Sequence, residues 1–293
     1  MGRIIQRAFL SRVALILPLL LAAGCSGDDP ATPSDGNTPP EPGHGVFVDS
    51  PVSGLEFTSG DETGVTGSTG AFTFEEGTDV TFALGGILFG SASASTKMSP
   101  LNLANATIVG HPLVTSIARF LQTIDDDADP SNGIQITETV RTAAIGRSVE
   151  FAQTPDEFDA DPNVITVVAA LTALTGAGER TLVPAVDARN QLTAGLRAAY
   201  AGDYSGTYCR DTGTYQAQGG TWTMHVTADG AVDMTFTGTP AFQAAGTMTI
   251  TGDISIAILD GPRVYAGFRP DFSGRWYLGD QSGLFSQSVR CVN

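Results

Sequence analysis

The chain has 293 residues, with 15 basic side chains against 31 acidic ones and a formal charge of −16. Apolar residues make up 42% and charged residues 16%, enough for one or two packed cores and too little charge for an acidic disordered tail. With Lys97 as its single lysine and no basic run beyond the N-terminus, this composition excludes a nucleic-acid binder, a coiled coil, a collagen-like chain and a polytopic membrane protein.

Arg3, Arg7 and Arg12 precede an apolar run from Val13 to Ala23, broken only by Pro18. A charged start, a short apolar stretch and small residues predict a secretory signal over residues 1–24. The run is too short to span a bilayer, which takes about 20 residues. Leu21-Ala22-Ala23-Gly24-Cys25 resembles the lipobox of bacterial lipoproteins, which implies lipidation of Cys25. By the same resemblance, Ser26 beside it favours sorting to the outer membrane. Loss of residues 1–24 would leave 12 basic and 31 acidic side chains, a charge of −19. Such a surface repels anionic membranes and DNA, so membrane attachment is expected through the lipid alone. Residues 25–44 hold Pro, Gly and acids without a large apolar side chain and predict a disordered tether.

Short strands are expected at Val46–Val48, Leu55–Thr58, Ala71–Phe74, Val80–Leu84 and Ile87–Phe89. Gly-rich turns separate them, and Phe72/Phe74 and Val80/Phe82/Leu84 alternate as in an antiparallel sandwich. GVFVDSPVSGLEF and GVTGSTGAFTFEEGTDVTFALGGILFG resemble the prealbumin-like, carboxypeptidase-regulatory-like sandwich that opens many bacterial surface lipoproteins. That resemblance implies a fold and assigns no activity.

From Pro112 the apolar period lengthens to that of a helix. Leu113, Ile117, Phe120, Leu121 and Ile124 form one stripe. Further helices are expected over Ile136–Ile145, from Asp161 as N-cap to Thr175, and over about 185–200, ending at Gly202. SIARFLQTIDDDADPSNGI resembles the helix and acidic loop that follow such sandwiches in the same lipoproteins. Residues 45–202 therefore read as a sandwich plus helical region, and 203–293 as an all-β domain of about eight strands. The second part carries −3 against −12 for residues 46–202, which supports a boundary near Gly202. The expected fold class is mainly β with an α+β N-terminal part: a small antiparallel β-sandwich, a short helical region, then an antiparallel meander forming a barrel or a sandwich.

With Cys25 assigned to lipid, Cys209 and Cys291 remain, an even pair in an exported chain. They read as one disulfide joining the first and last strands of the final domain, the alternative being two free buried thiols.

No nucleophile elbow, zinc-protease helix, P-loop or dinucleotide fingerprint occurs. His44 lies in the tether, His111 before Pro112, and His225 on the outward side of a strand. None is a catalytic candidate, and the chain is expected not to be an enzyme. The acids of Asp156–Asp161 suit the positive end of the helix after Pro162. Asp125, Asp127, Asp129 and Asn132 alternate along a tight loop and are the candidate ligands of a structural Ca²⁺, the alternative being a solvated turn. Acids are unfavourable at the helix C-terminus near Ile124, so a counter-ion is expected there.

Two functions stay open. One is a non-enzymatic outer-membrane or surface lipoprotein, a binding or structural module facing a cell-envelope protein or polysaccharide. The other is a periplasmic binder of a small apolar ligand inside the C-terminal barrel, with Trp222, Trp276 and Tyr265 at its mouth.

Overall fold

The computed structural model describes residues 41–210, 218–238, 241–258, 263–266, 274–278 and 281–286. From residue 258 onward, side chains are described only at 283 and 284. Strands β1 (Gly43–Phe47), β2 (Val52–Ser53), β3 (Glu56–Ser59), β4 (Glu62–Val65), β5 (Ala71–Phe74), β6 (Asp79–Leu84), β7 (Ile87–Ser93) and β8 (Lys97–Met98) come first. They form a β5-β1-β8 sheet and a β4-β3-β6-β7 sheet. Alternation places Phe72 and Phe74 of β5 and Val80, Phe82 and Leu84 of β6 in the core. The two sheets meet through aromatic rings: Phe47 lies 4.6 Å from Phe82, and Phe72 packs edge-on to Phe82 at 5.1 Å.

The expected sandwich is present, with two departures from a purely antiparallel one. Strand β1 pairs parallel with β8, and β2 pairs parallel with β9 (Ile134–Gln135). Parallel partners need a crossover, supplied for β2 and β9 by α1 (Pro100–Leu103) and α2 (Pro112–Thr123).

Helix α2 begins and ends close to expectation but buries more than one stripe. Ile117, Phe120, Leu121 and Ile124 are fully buried, and so are Val114, Ala118, Gln122 and Thr123 on its other sides. The reason is that further helices cover it: α4 (Pro155–Ala160), α5 (Pro162–Thr172) and α6 (Ala185–Ala198). The remaining helix is α3 (Glu138–Ala144), capped by Thr137 rather than starting at Ile136. Helix α4 was not anticipated; its acids sit in a capping box between Thr154 and Glu157. Asp161 does cap α5, accepting from the Asn163 amide at 2.8 Å.

The last part is a closed antiparallel barrel of eight strands joined in sequence order. These are β10 (Gly202–Arg210), β11 (Gly219–Val226), β12 (Ala231–Phe236), β13 (Phe242–Met248), β14 (Ile254–Ile258), β15 (Arg263–Ala266), β16 (Gly274–Leu278) and β17 (Gln281–Ser286). Of the two forms expected, the barrel is the one adopted, and β10 pairs with β17 to close it. Trp222, Met224, Val226, Val232, Met234, Phe236, Ala244 and Ile256 are buried inside. Thr221, Thr223, His225, Asp233 and Thr235 point outward and are exposed. On the described faces of β11 and β12, an apolar interior and a polar exterior are the reverse of a membrane-spanning barrel. Among the described residues no helix is long and apolar enough to cross a membrane.

Helices and barrel share one compact unit. Tyr200, just after α6, belongs to the barrel core, and Ile250 of the β13–β14 turn packs on the α2–α6 cluster.

Candidate functional site

A cleft of about 380 Å³ opens where the helical layer meets the barrel. One wall comes from β8 and α1, with Lys97, Met98, Ser99, Leu101 and Asn102. Another comes from the end of α6 and Tyr200, and the barrel contributes Ile250 and Thr251. Each element is placed for a structural reason. Strand β8 is fixed by its register on β1, Lys97 opposite Val46 and Met98 opposite Phe47. Pro100 starts α1 where a missing amide hydrogen costs nothing, and Asn105 follows it with a left-handed φ of 46°, which Asn tolerates. Tyr200 is held by the barrel, its carbonyl accepting from Tyr204 Oη at 2.8 Å.

Lys97 is the cation of this site. Its Nζ lies 4.9 Å from the centroid of the Tyr200 ring, within cation–π range. Burial pulls the ammonium below its ordinary pKa, and burial likewise pushes the Tyr200 phenol up. In a chain with 31 acids, none of the described lining residues is acidic. The polar remainder is Ser93, Ser99, Asn102, Asn105, Thr107 and Thr251. Ser99 Oγ donates to Asn102 Oδ1 at 2.8 Å, so this hydroxyl is engaged by an amide rather than by a base.

The residues expected to hold Ca²⁺ make hydrogen bonds within their own loop. Asp127 accepts from the Asp129 amide and from Asn132 Nδ2, both at 2.9 Å, and Asp129 accepts from the Ser131 amide and hydroxyl. Asp125 is buried and accepts from the Gln135 amide at 2.8 Å. Asp127, Asp129 and Asn132 thus bond within the turn, and the Asp125 and Asp127 carboxyls lie close enough to interact. Among the described residues no three acidic, imidazole or thiol groups converge on a metal position. At the end of α2 stands Arg180, whose guanidinium donates to the Thr123 and Asp125 carbonyls and to Thr175 Oγ1. A cation at a helix C-terminus caps the last carbonyls and offsets their partial charge. Burial still pushes the Asp125 carboxyl up to about 6.

Cys209 is disulfide-bonded on β10. Cys291 and Cys25 lie outside the described residues, as do the side chains of Trp276 and Tyr265. Trp222 lines the barrel interior rather than a mouth and donates Nε1–H to the Thr207 carbonyl at 3.1 Å. His225 is exposed as expected, with Nδ1 2.7 Å from Asp203 Oδ1, and His111 occupies the N-cap of α2.

Sequence reading missed three buried polar groups. Arg119 of α2 donates Nε–H to the Val183 carbonyl at 2.7 Å and pairs with Asp159. Asp49 is fully buried under α6, its Oδ1 accepting from Gln122 Nε2 at 2.8 Å. Gly195 of α6 makes this approach possible, since a Cβ there would stand 2.8 Å from the Ser50 nitrogen. The signal for Lys97 was available in its being the sole lysine.

No protein-family model matches the chain, and neither a curated protein nor a solved structure shows a significant match.

Proposed function

We propose that this chain is a non-enzymatic binding module of the cell envelope, lipid-anchored to the outer membrane through Cys25, that holds a small ligand in the cleft between helices and barrel. The observation that carries the reading is the cleft itself. It is large enough for a small molecule and lies at the junction of two structural parts, where ligand sites concentrate. Its walls offer apolar side chains and a few converging donors, the composition of a binding pocket. The polar outward face of β11 and β12 supports a protein that rests beside a membrane rather than in it, leaving attachment to the N-terminal lipid.

The barrel interior is the weaker site. Its described face is filled, with Phe236 stacked on Phe242 at 4.4 Å and Tyr208 edge-on to Phe236 at 5.5 Å.

Native mass spectrometry of the protein taken from its own envelope tests the binding role. A bound small molecule is expected in the wild type and absent in Ala199→Trp, where the indole fills the cleft. Equal occupancy in both, or no occupancy in either, would count against this site. Fractionation of Cys25→Ala tests the anchor: the variant should leave the membrane fraction, and its retention after a salt wash would refute lipid anchoring.

A further inference from the structure

We infer that the cleft takes an uncharged sugar, about one hexose unit in size, held by the turn from Asn102 to Thr107 over an apolar floor. This rests on the binding role proposed above and adds the ligand class.

The polar groups select hydroxyls. The described lining holds no carboxylate, and its one ammonium is already engaged on the Tyr200 ring. Two lining hydroxyls are engaged as well, Ser93 Oγ donating to Asp79 Oδ1 at 3.1 Å and Thr251 Oγ1 to Asp253 Oδ2 at 2.7 Å. The neutral groups that stay open are contiguous in the chain: the amides of Asn102 and Asn105 and the hydroxyl of Thr107, all on exposed residues. Ser99 Oγ sets the way the Asn102 amide faces, because its bond to Oδ1 leaves both Nδ2 hydrogens for a ligand oxygen. The turn is locked before any ligand arrives. The Asn105 and Ala106 amides donate to the Asn102 and Leu101 carbonyls at 3.1 and 2.9 Å, and Asn105 holds its left-handed φ of 46°. A carboxamide donates and accepts in one plane, as neighbouring sugar hydroxyls do, so two amides and a hydroxyl match a polyol without charge.

Shape agrees. Met98, Leu101 and Leu196 form a buried floor on which the C–H face of a pyranose ring rests. Tyr200 is the one ring among the described lining residues, and Lys97 lies over it, which disfavours a flat aromatic ligand. The volume of about 380 Å³ is the liquid share of roughly a dozen waters, room for about 12 heavy atoms, as in a hexose.

NMR titration of the full chain, in a Cys25→Ser background, with methyl glucoside, methyl galactoside and methyl mannoside reads the inference directly. At least one hexoside should bind saturably and about fivefold or more tightly than cyclohexylmethanol, which keeps a ring and lacks the ring hydroxyls. Asn105→Gly keeps the left-handed turn and removes the amide, so it should weaken that sugar about fivefold, one net hydrogen bond, and leave cyclohexylmethanol unchanged. Asn102→Ala should do the same, and unchanged melting of each variant reports intact folding. Cyclohexylmethanol binding as tightly as every hexoside, or full sugar affinity in both variants, would overturn the assignment. Tighter binding of glucuronate would overturn the uncharged class. If no hexoside binds while the wild type still carries a molecule by native mass spectrometry, the sugar falls and the binding role stands. If neither is seen, both fall.

Discussion

Replacing Asp49 by Asn probes the most unusual group in the core. Asp49 is fully buried, and burial holds its carboxyl well above the ordinary aspartate value of 3.8. Asp49 Oδ1 accepts from Gln122 Nε2, which also donates to the Ala188 carbonyl at 3.1 Å. Among the described residues, Asp49 Oδ2 and Gln122 Oε1 are both buried without a partner. Neither can donate unless Oδ2 carries a proton, so the neutral acid is the form that suits the site. The sign of the pH dependence follows. The folded-state pKa is raised, so stability from this group is complete below pH 3.8 and is lost as pH rises toward the folded value. The slope in that window is about 1.4 kcal/mol per pH unit. Asn presents the same outline with an amide hydrogen at every pH and removes the slope. Urea unfolding of both proteins from about pH 4 to about pH 8 measures the difference, in which all other carboxylates cancel. Asp49→Asn should be near neutral at the acid end and increasingly stabilising as pH rises. Asp49→Ala should be destabilising at the acid end, by about 1–3 kcal/mol for the stranded Gln122 amide plus the cavity, with a deficit that shrinks as pH rises because alanine does not titrate either. A stability difference between Asp49→Asn and wild type that stays flat with pH would refute the neutral, buried acid.

Arg180→Gln should lower stability by about 2 kcal/mol or more, because the Thr123 and Asp125 carbonyls lose their donor; thermal melting equal to wild type would remove Arg180 as the cap of α2. Millimolar Ca²⁺ followed by chelation should leave the melting temperature unchanged, since the loop carboxylates are bound to their own turn; a rise would restore the metal reading. Non-reducing peptide mapping should join Cys209 to Cys291, and reduction should cost roughly 4–5 kcal/mol for a separation of 82 residues; a free thiol at Cys291 would contradict that pairing.

The regular parts of this fold were legible because each repeats a local period. Alternation at Phe72/Phe74 and Trp222/Met224/Val226 marks strands whatever they pack against, and the barrel strands could be counted from it. The 3.6 period of Ile117, Phe120 and Ile124 marks α2 in the same way. What escaped is set by distant partners. Gln122 and Arg119 lie on the polar side of α2 in sequence and are buried only because α4 and α6 return to cover them. The counter-charge beside the acidic loop, Arg180, comes from about 55 residues downstream and no local pattern announces it. The capping box at Thr154 and Glu157 has a sequence signature of its own, beside the stronger one at Asp161-Pro162. The cleft joins β8, α6 and a barrel turn, so its lining exists only after folding, and Lys97 was its one visible trace.

Amide chemical-shift mapping while the small molecule recovered with the envelope-purified protein is titrated back tests the central claim, that the junction cleft is the ligand site. The amides of Asn102, Asn105, Thr107 and Thr251 should shift together along one saturable curve, with the Trp222 indole unmoved. Saturable shifts centred on Trp222 and Met234 instead would place the ligand in the barrel and contradict the account.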